Sequence, residues 1–294
     1  MRITSETMVT RSLNRLQTRL QDYERSQSEL GTGKRILKAS DDPTGTRRAM
    51  SLKNSLASHE RNLKNISDAS GYLAATDSQL QTAIERLSRA RELANRGASN
   101  TNAGEREALA LEIDQIAEEL RGIANATHQD RPLFAGFTEG PAVDDAVPPG
   151  FEGTDDQVMR RISDSEKVRI NTTAEEWMTY PGGEGDVLSE LDELADALRN
   201  GGPGDVAPRL DGLKAASDRI ADTLAGIGST TNRVESARAR AEDQKLTVRT
   251  ELSEVEDVDV AEGVMEMQIQ QVGYEATLQA LGQALPPSLV AFLR

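Results

Sequence analysis

Between Ala49 and Ala94 the chain keeps a three-four spacing without a slip: Ala49, Leu52, Leu56, His59, Leu63, Ile66, Ser70, Leu73, Asp77, Leu80, Ile84, Leu87, Arg91 and Ala94. Ten of these fourteen positions are apolar, which makes a heptad seam along one helix face. From Pro43 to about Arg96 such a helix runs on the order of 80 Å, at a rise of 1.5 Å per residue. Composition agrees with long thin helices. Aromatics are only 3% of the chain and Trp177 is the one tryptophan, whereas a compact enzyme usually has more large side chains to fill its core.

The same spacing recurs at both ends. Val9, Leu13, Leu16, Leu20, Tyr23, Gln27 and Leu30 form one seam. Val260, Val264, Met267, Gln271, Tyr274, Leu278, Leu281 and Leu285 form another. Gln27 and Gln271 are the polar interruptions, either tolerated on a solvated edge or setting register at a subunit contact. Between the first seam and the long helix lies LGTGKRILKASDDPTG, residues 30–45. Its Gly33-Lys34 suggests a phosphate loop, but Ser28 stands where the first glycine belongs and Arg35 where a metal-binding hydroxyl belongs. The stretch instead predicts a left-handed stop at Gly31 or Gly33, then a new helix capped by Asp42 with Pro43 at its first position.

A third helix is predicted through Leu109, Ile113, Ile116, Leu120 and Ile123, folding back antiparallel on the second. From about His128 to Asp186 Pro, Gly and Asp become frequent, and QVMRRI and KVRINT predict a β-hairpin around SDSE. Most of the aromatics cluster here: Phe134, Phe137, Phe151, Trp177 and Tyr180. Helix returns at Val187–Leu198 and resumes from Val206, until the acidic LSEVEDVDVAEG interrupts it. The layout is nearly mirror-symmetric and predicts a mainly α fold. An elongated antiparallel helical bundle, or coiled-coil rod, carries a small β-containing inserted domain at its tip. Residues 1–42 and 258–294 form a terminal coiled-coil base, 43–128 and 187–257 a helical rod domain, and 129–186 the outer domain. A lone pair of short helices buries too little area to be stable alone, so the base is expected to be disordered in the free monomer and to order on assembly.

A net charge of −15 argues against nucleic acid, since phosphate neutralisation needs clustered Lys and Arg. There is no cysteine, hence no disulfide and no thiolate chemistry. No apolar run resembles a signal peptide or a membrane span, so no membrane partner is expected. His59 and His128 are the only histidines and have no cysteine to join them at a zinc site. Asp144-Asp145 and Asp155-Asp156 do not follow a calcium-loop pattern. No convergent polar cluster marks an enzyme, and no cofactor or metal is expected. The breaks flanking the terminal helices carry opposite charge. One has Lys34, Arg35 and Lys38 ahead of Asp41, Asp42 and Pro43; the other has Glu254, Glu256, Asp257 and Asp259. If these connectors meet, they fix how the base joins the rod, with an effect on geometry and salt sensitivity more than on stability.

MRIT at the start, LGTGKRILKASDDPTG, the long heptad helix, DRPLFAGF at 130–137 and LSEVEDVDVAEG with LQALGQALPPSLVAFLR at the end together resemble the flagellin family. Within it they look like its hook–filament junction members, the hook-associated proteins of type 3. Flagellin, the filament subunit, is the alternative. The resemblance covers roughly 1–137 and 187–294 and fails in the insert. It implies a structural subunit without catalysis, exported through the flagellar channel without a cleaved signal peptide. It implies that the two terminal seams are subunit interfaces. The implied partners are copies of the chain in a ring, a hook-side junction protein, flagellin on the filament side and a cytosolic export chaperone.

Overall fold

The computed structural model describes residues 5–99, 102–146, 150–180 and 185–284. Leu285, the MRIT opening and the PPSLVAFLR tail lie outside them, as does the side chain of Val9. The chain is mainly α. Its helices are α1 (Ser5–Thr32), α2 (Pro43–Ala98), α3 (Ala103–Ala124), α4 (Ala174–Met178), α5 (Val187–Asn200), α6 (Pro203–Glu256) and α7 (Val260–Ala284). Two short antiparallel pairs complete it: β1 (Thr127–His128) with β2 (Arg131–Pro132), and β3 (Met159–Arg161) with β4 (Lys167–Arg169). Contacts divide the chain into two compact units, residues 1–57 with 245–294, and residues 58–244.

The first unit contains α1, α7, the start of α2 and the end of α6. α1 and α7 pack against each other. They run antiparallel, because Leu30 faces Gly263 while Arg19, earlier in α1, donates to Gln270, later in α7, at 3.2 Å. α1 stops at Gly33, whose φ of +70 is the left-handed cap. Asp42 starts α2: its carboxylate accepts from the Gly45 and Thr44 amides at 2.8 and 3.1 Å. Asp259 starts α7 in the same way, accepting from the Ala261 amide at 2.8 Å. The break before α7 is shorter than the acidic run suggests. LSEVE completes α6 through Glu256, and only 257–259 leave the helix.

In the second unit one continuous apolar core joins α2, α3, α5 and α6 to the inserted segment. α3 returns antiparallel along α2, since Arg86 pairs with Glu119 and Arg89 with Glu112. The buried stripe of α2 is Ile66, Leu73, Leu80 and Leu87 alternating with Ala69, Thr76, Ala83 and Ala90. The seam read from the sequence had Ser70, Asp77, Ile84 and Arg91 in the second set of places, and these are half-buried. Small side chains win there because they let the neighbouring backbone approach. Within the insert, Phe134 and Trp177 are fully buried and meet edge-on, with centroids 5.5 Å apart. The predicted hairpin is β3–β4, closed by Ile162 donating to the Glu166 carbonyl at 3.0 Å. The second hairpin, β1–β2, turns through Gln129 and Asp130, both at positive φ.

Candidate assembly interface and connector

Where α1 ends and α6 ends, the two breaks come together. Lys34 and Asp257 form an isolated antiparallel bridge. The Arg35 amide donates to the Glu256 carbonyl at 2.8 Å, and the Val258 amide to the Gly33 carbonyl at 3.0 Å. The Arg35 guanidinium donates to the Val255 carbonyl at 2.9 Å. The two backbone bonds that make this bridge, with the guanidinium as a third tie, hold both connectors together, so their geometry does not depend on the charges alone.

The charges add a centre. Glu256 is buried, and its carboxylate receives the Lys34 ammonium at 2.7 Å on one oxygen and the Lys53 ammonium at 2.7 Å on the other. The hydrogen bond from Lys34, then that from Lys53, holds this carboxyl below the usual glutamate range, although its burial opposes the shift. The same bond to Glu256 raises the Lys34 ammonium. One carboxylate therefore links α6, the 33–42 connector and α2. Lys53 was not among the residues singled out by sequence, because a lone lysine inside a long helix carries no local signal.

The other connector residues do separate jobs. Asp42 and Asp259 are helix caps, and Asp42 is also 3.9 Å from Arg35. Asp41 accepts from the Lys38 amide at 2.9 Å, closing a turn, while the Lys38 side chain is exposed. Asp257 accepts from the Ser253 hydroxyl at 2.6 Å. Glu254 is exposed on α6, and Pro43 opens α2. Gly45 permits the whole arrangement: a Cβ there would press into the Asp42 carboxylate and the Ile36 side chain.

Along the terminal helices the two seams are only half covered. Leu16, Tyr23, Leu30, Met267, Tyr274 and Leu281 are half-buried, while Leu13, Leu20, Val260, Val264 and Leu278 are exposed. Gln27 and Gln271 also lie exposed. A second apolar set on α7, absent from the seam reading, is exposed as well: Met265, Ile269 at 63% and Val272 at 65%. A count of one heptad seam follows one face and passes over the other. α7 carries three charges in 25 residues, Glu262, Glu266 and Glu275, with five glutamines, and its large apolar side chains fall on two faces rather than one. A single partner helix leaves one of those faces uncovered. No described helix is long and apolar enough to cross a membrane. No group of three or more metal-binding side chains occurs among the described residues.

Comparison with known proteins gives two family matches. Residues 3–138 match the bacterial flagellin N-terminal helical region, and residues 210–293 match the bacterial flagellin C-terminal helical region. The chain is 22% identical to flagellar hook-associated protein 3 of Salmonella typhimurium, over 97% of this chain and 98% of that protein. It is 23% identical to flagellin of Bacillus subtilis, over 100% of both. The solved flagellar junction protein FlgL of Legionella pneumophila shares the fold, with a TM-score of 0.61 at 12% identity, covering 71% of this chain and 99% of that one.

Proposed function

We propose that this chain, which belongs to the bacterial flagellin family, is the structural subunit that joins hook to filament in the bacterial flagellum. One observation carries the reading: in a chain of net charge −15, α7 exposes Met265 at 59%, Ile269 at 63% and Val272 at 65% with almost no charge among them. Such a stripe is too apolar for a finished surface and needs other helices over it. Copies of the same chain supply them through α1 and α7, and the exposed Leu13, Leu20, Val264 and Leu278 become buried as well. In the free monomer α1 and α7 exchange between open and packed states and order fully on assembly. The buried Glu256 and its two lysines set the angle at which the terminal helices leave α2 and α6.

The full-length likeness to proteins named hook-associated protein 3 favours the junction. Its neighbours there are a hook-side junction protein and flagellin, and before export a cytosolic chaperone covers the apolar stripe. The role is structural and outside the cell, with no catalytic step. The full-length match to a flagellin keeps the filament subunit as the second reading. Electron microscopy of the concentrated chain, with and without hook or filament seeds, separates the two. Short caps on seed ends that never elongate are expected. Long filaments identify a flagellin, and monomers that ignore both ends overturn the proposal.

A further inference from the structure

The chain has no cysteine, so its seven methionines hold all of its sulfur. Methionine is a common target of peroxides. Its sulfurs here are not equally reachable. Met178 is fully buried and Met267 half-buried, whereas Met50 at 62% and Met265 at 59% stand open, ahead of Met159 at 42%. Both of the open pair belong to the unit formed by the chain ends.

Met265 and Met267 lie two residues apart on α7 and fall on its two apolar faces. Met267 belongs to the half-covered seam. Met265 begins the exposed stripe that continues through Ile269 and Val272, at spacings of four and three that put all three on one side of the helix. Among these three, only the thioether can become polar without a change of sequence. Sulfoxide formation turns a flexible apolar side chain into a polar one. On the open face of the monomer the new oxygen is hydrated and costs little. Under a packed helix it needs a hydrogen-bond donor, and its stripe neighbours Ile269 and Val272 carry none.

We propose that Met265 is an oxidation site that controls assembly: as the thioether it lets α7 be covered, and as the sulfoxide it keeps the chain monomeric. The proposal rests on the self-assembly reading above and adds a chemical control to it. The co-reactant is a peroxide. One peroxide oxygen passes to the Met265 Sδ; the O–O bond breaks, the S–O bond forms, and hydrogen peroxide leaves as water. The sulfur loses two electrons and the peroxide gains them. A dithiol-driven sulfoxide reductase reverses the step, with the dithiol ending as a disulfide and the oxygen as water. Only the free chain reacts at this position, because assembly covers the sulfur.

The test uses the full chain, treated with hydrogen peroxide, freed of it, and added to hook or filament seeds. Peptide mass mapping reads the sulfoxide at each methionine, and electron microscopy counts capped seeds. Met50 and Met265 are expected to oxidise before Met267 and Met178. Capping by the oxidised chain is expected to fall about tenfold, roughly the effect of burying one unsatisfied polar group, and sulfoxide reductase is expected to restore it. Met265→Leu stays apolar at similar volume and caps equally before and after peroxide, while Met50→Leu stays sensitive. Met265→Gln, polar at the same place, caps poorly without any oxidant, yet its circular-dichroism melt matches that of the unaltered chain. That match separates an interface effect from misfolding. Full capping by a chain carrying the Met265 sulfoxide, or an equal loss in Met265→Leu, overturns the inference and leaves the self-assembly reading standing. An untreated chain that ignores the seeds overturns both, and is told apart because it fails before any oxidant is added.

Discussion

Glu256 is the acceptor for two lysines from different segments, and protonating it releases both. Its carboxyl lies below the ordinary range in the folded chain, so its stabilisation is complete above the usual glutamate pKa of about 4.3. That stabilisation is lost as pH falls through the lower folded value. The raised Lys34 works in the opposite sense. Its share is whole below the usual lysine value and is lost only as pH rises through the higher folded one. Glu256→Gln keeps the shape and removes the charge. We expect it to loosen the connector by about 1.5–3 kcal/mol, the range for hydrogen bonds to charged groups. Hydrogen exchange across 30–40 and 250–260 reads this. Faster exchange in both stretches at neutral pH, with no added effect of acid, is expected. An unchanged pattern would show that the backbone bonds of Arg35 and Val258 suffice. Charge at matching breaks was visible in the sequence as Lys34 and Glu256. The third member, Lys53, was not, because its partner is 203 residues away and its own helix gives no reason to notice it.

Helices were the most legible level. The heptad spacing places α2 and α7, and Asp42 with Pro43 gives the start of α2; Asp259, read from sequence only as part of an acidic connector, caps α7 in the same way. The alanine half of the α2 stripe escaped the reading because alanine is a weak apolar signal, although Ala69, Ala83 and Ala90 are fully buried. The β1–β2 hairpin escaped because Gln-Asp is not a turn sequence that chemistry favours. Gly45 separates local propensity from packing. Propensity alone gives Gly45→Ala a gain of about 1 kcal/mol in the first turn of α2. The methyl would displace the capping Asp42 carboxylate and Ile36, and losing a cap costs about 0.5–2 kcal/mol. We expect a net loss in the first unit, read as faster exchange of the Thr44–Ala49 amides. Slower exchange there would mean that the cap is dispensable.

For the whole molecule, the informative residues are those that do little in the monomer. Ile269→Asp and Val272→Asp alter side chains that are about two-thirds exposed, so each should change monomer stability by under about 0.5 kcal/mol. Each should nevertheless abolish capping of hook or filament seeds in the electron microscope, because a buried carboxylate without a partner is prohibitive in an apolar assembly core. A variant that still caps seeds would remove α7 from the interface. The sequence announced the terminal seams but not this second stripe, since heptad counting looks for one partner and α7 is apolar on two faces.

The single tryptophan has a practical consequence. Trp177 is fully buried beside Phe134 in the unit formed by residues 58–244, and the unit formed by the two chain ends contains no tryptophan. Emission from that indole is therefore a private optical channel for one half of the molecule. A melting step that appears in circular dichroism while the emission stays constant belongs to the chain ends, so two ordinary spectra can divide the unfolding of this protein between its halves without a label.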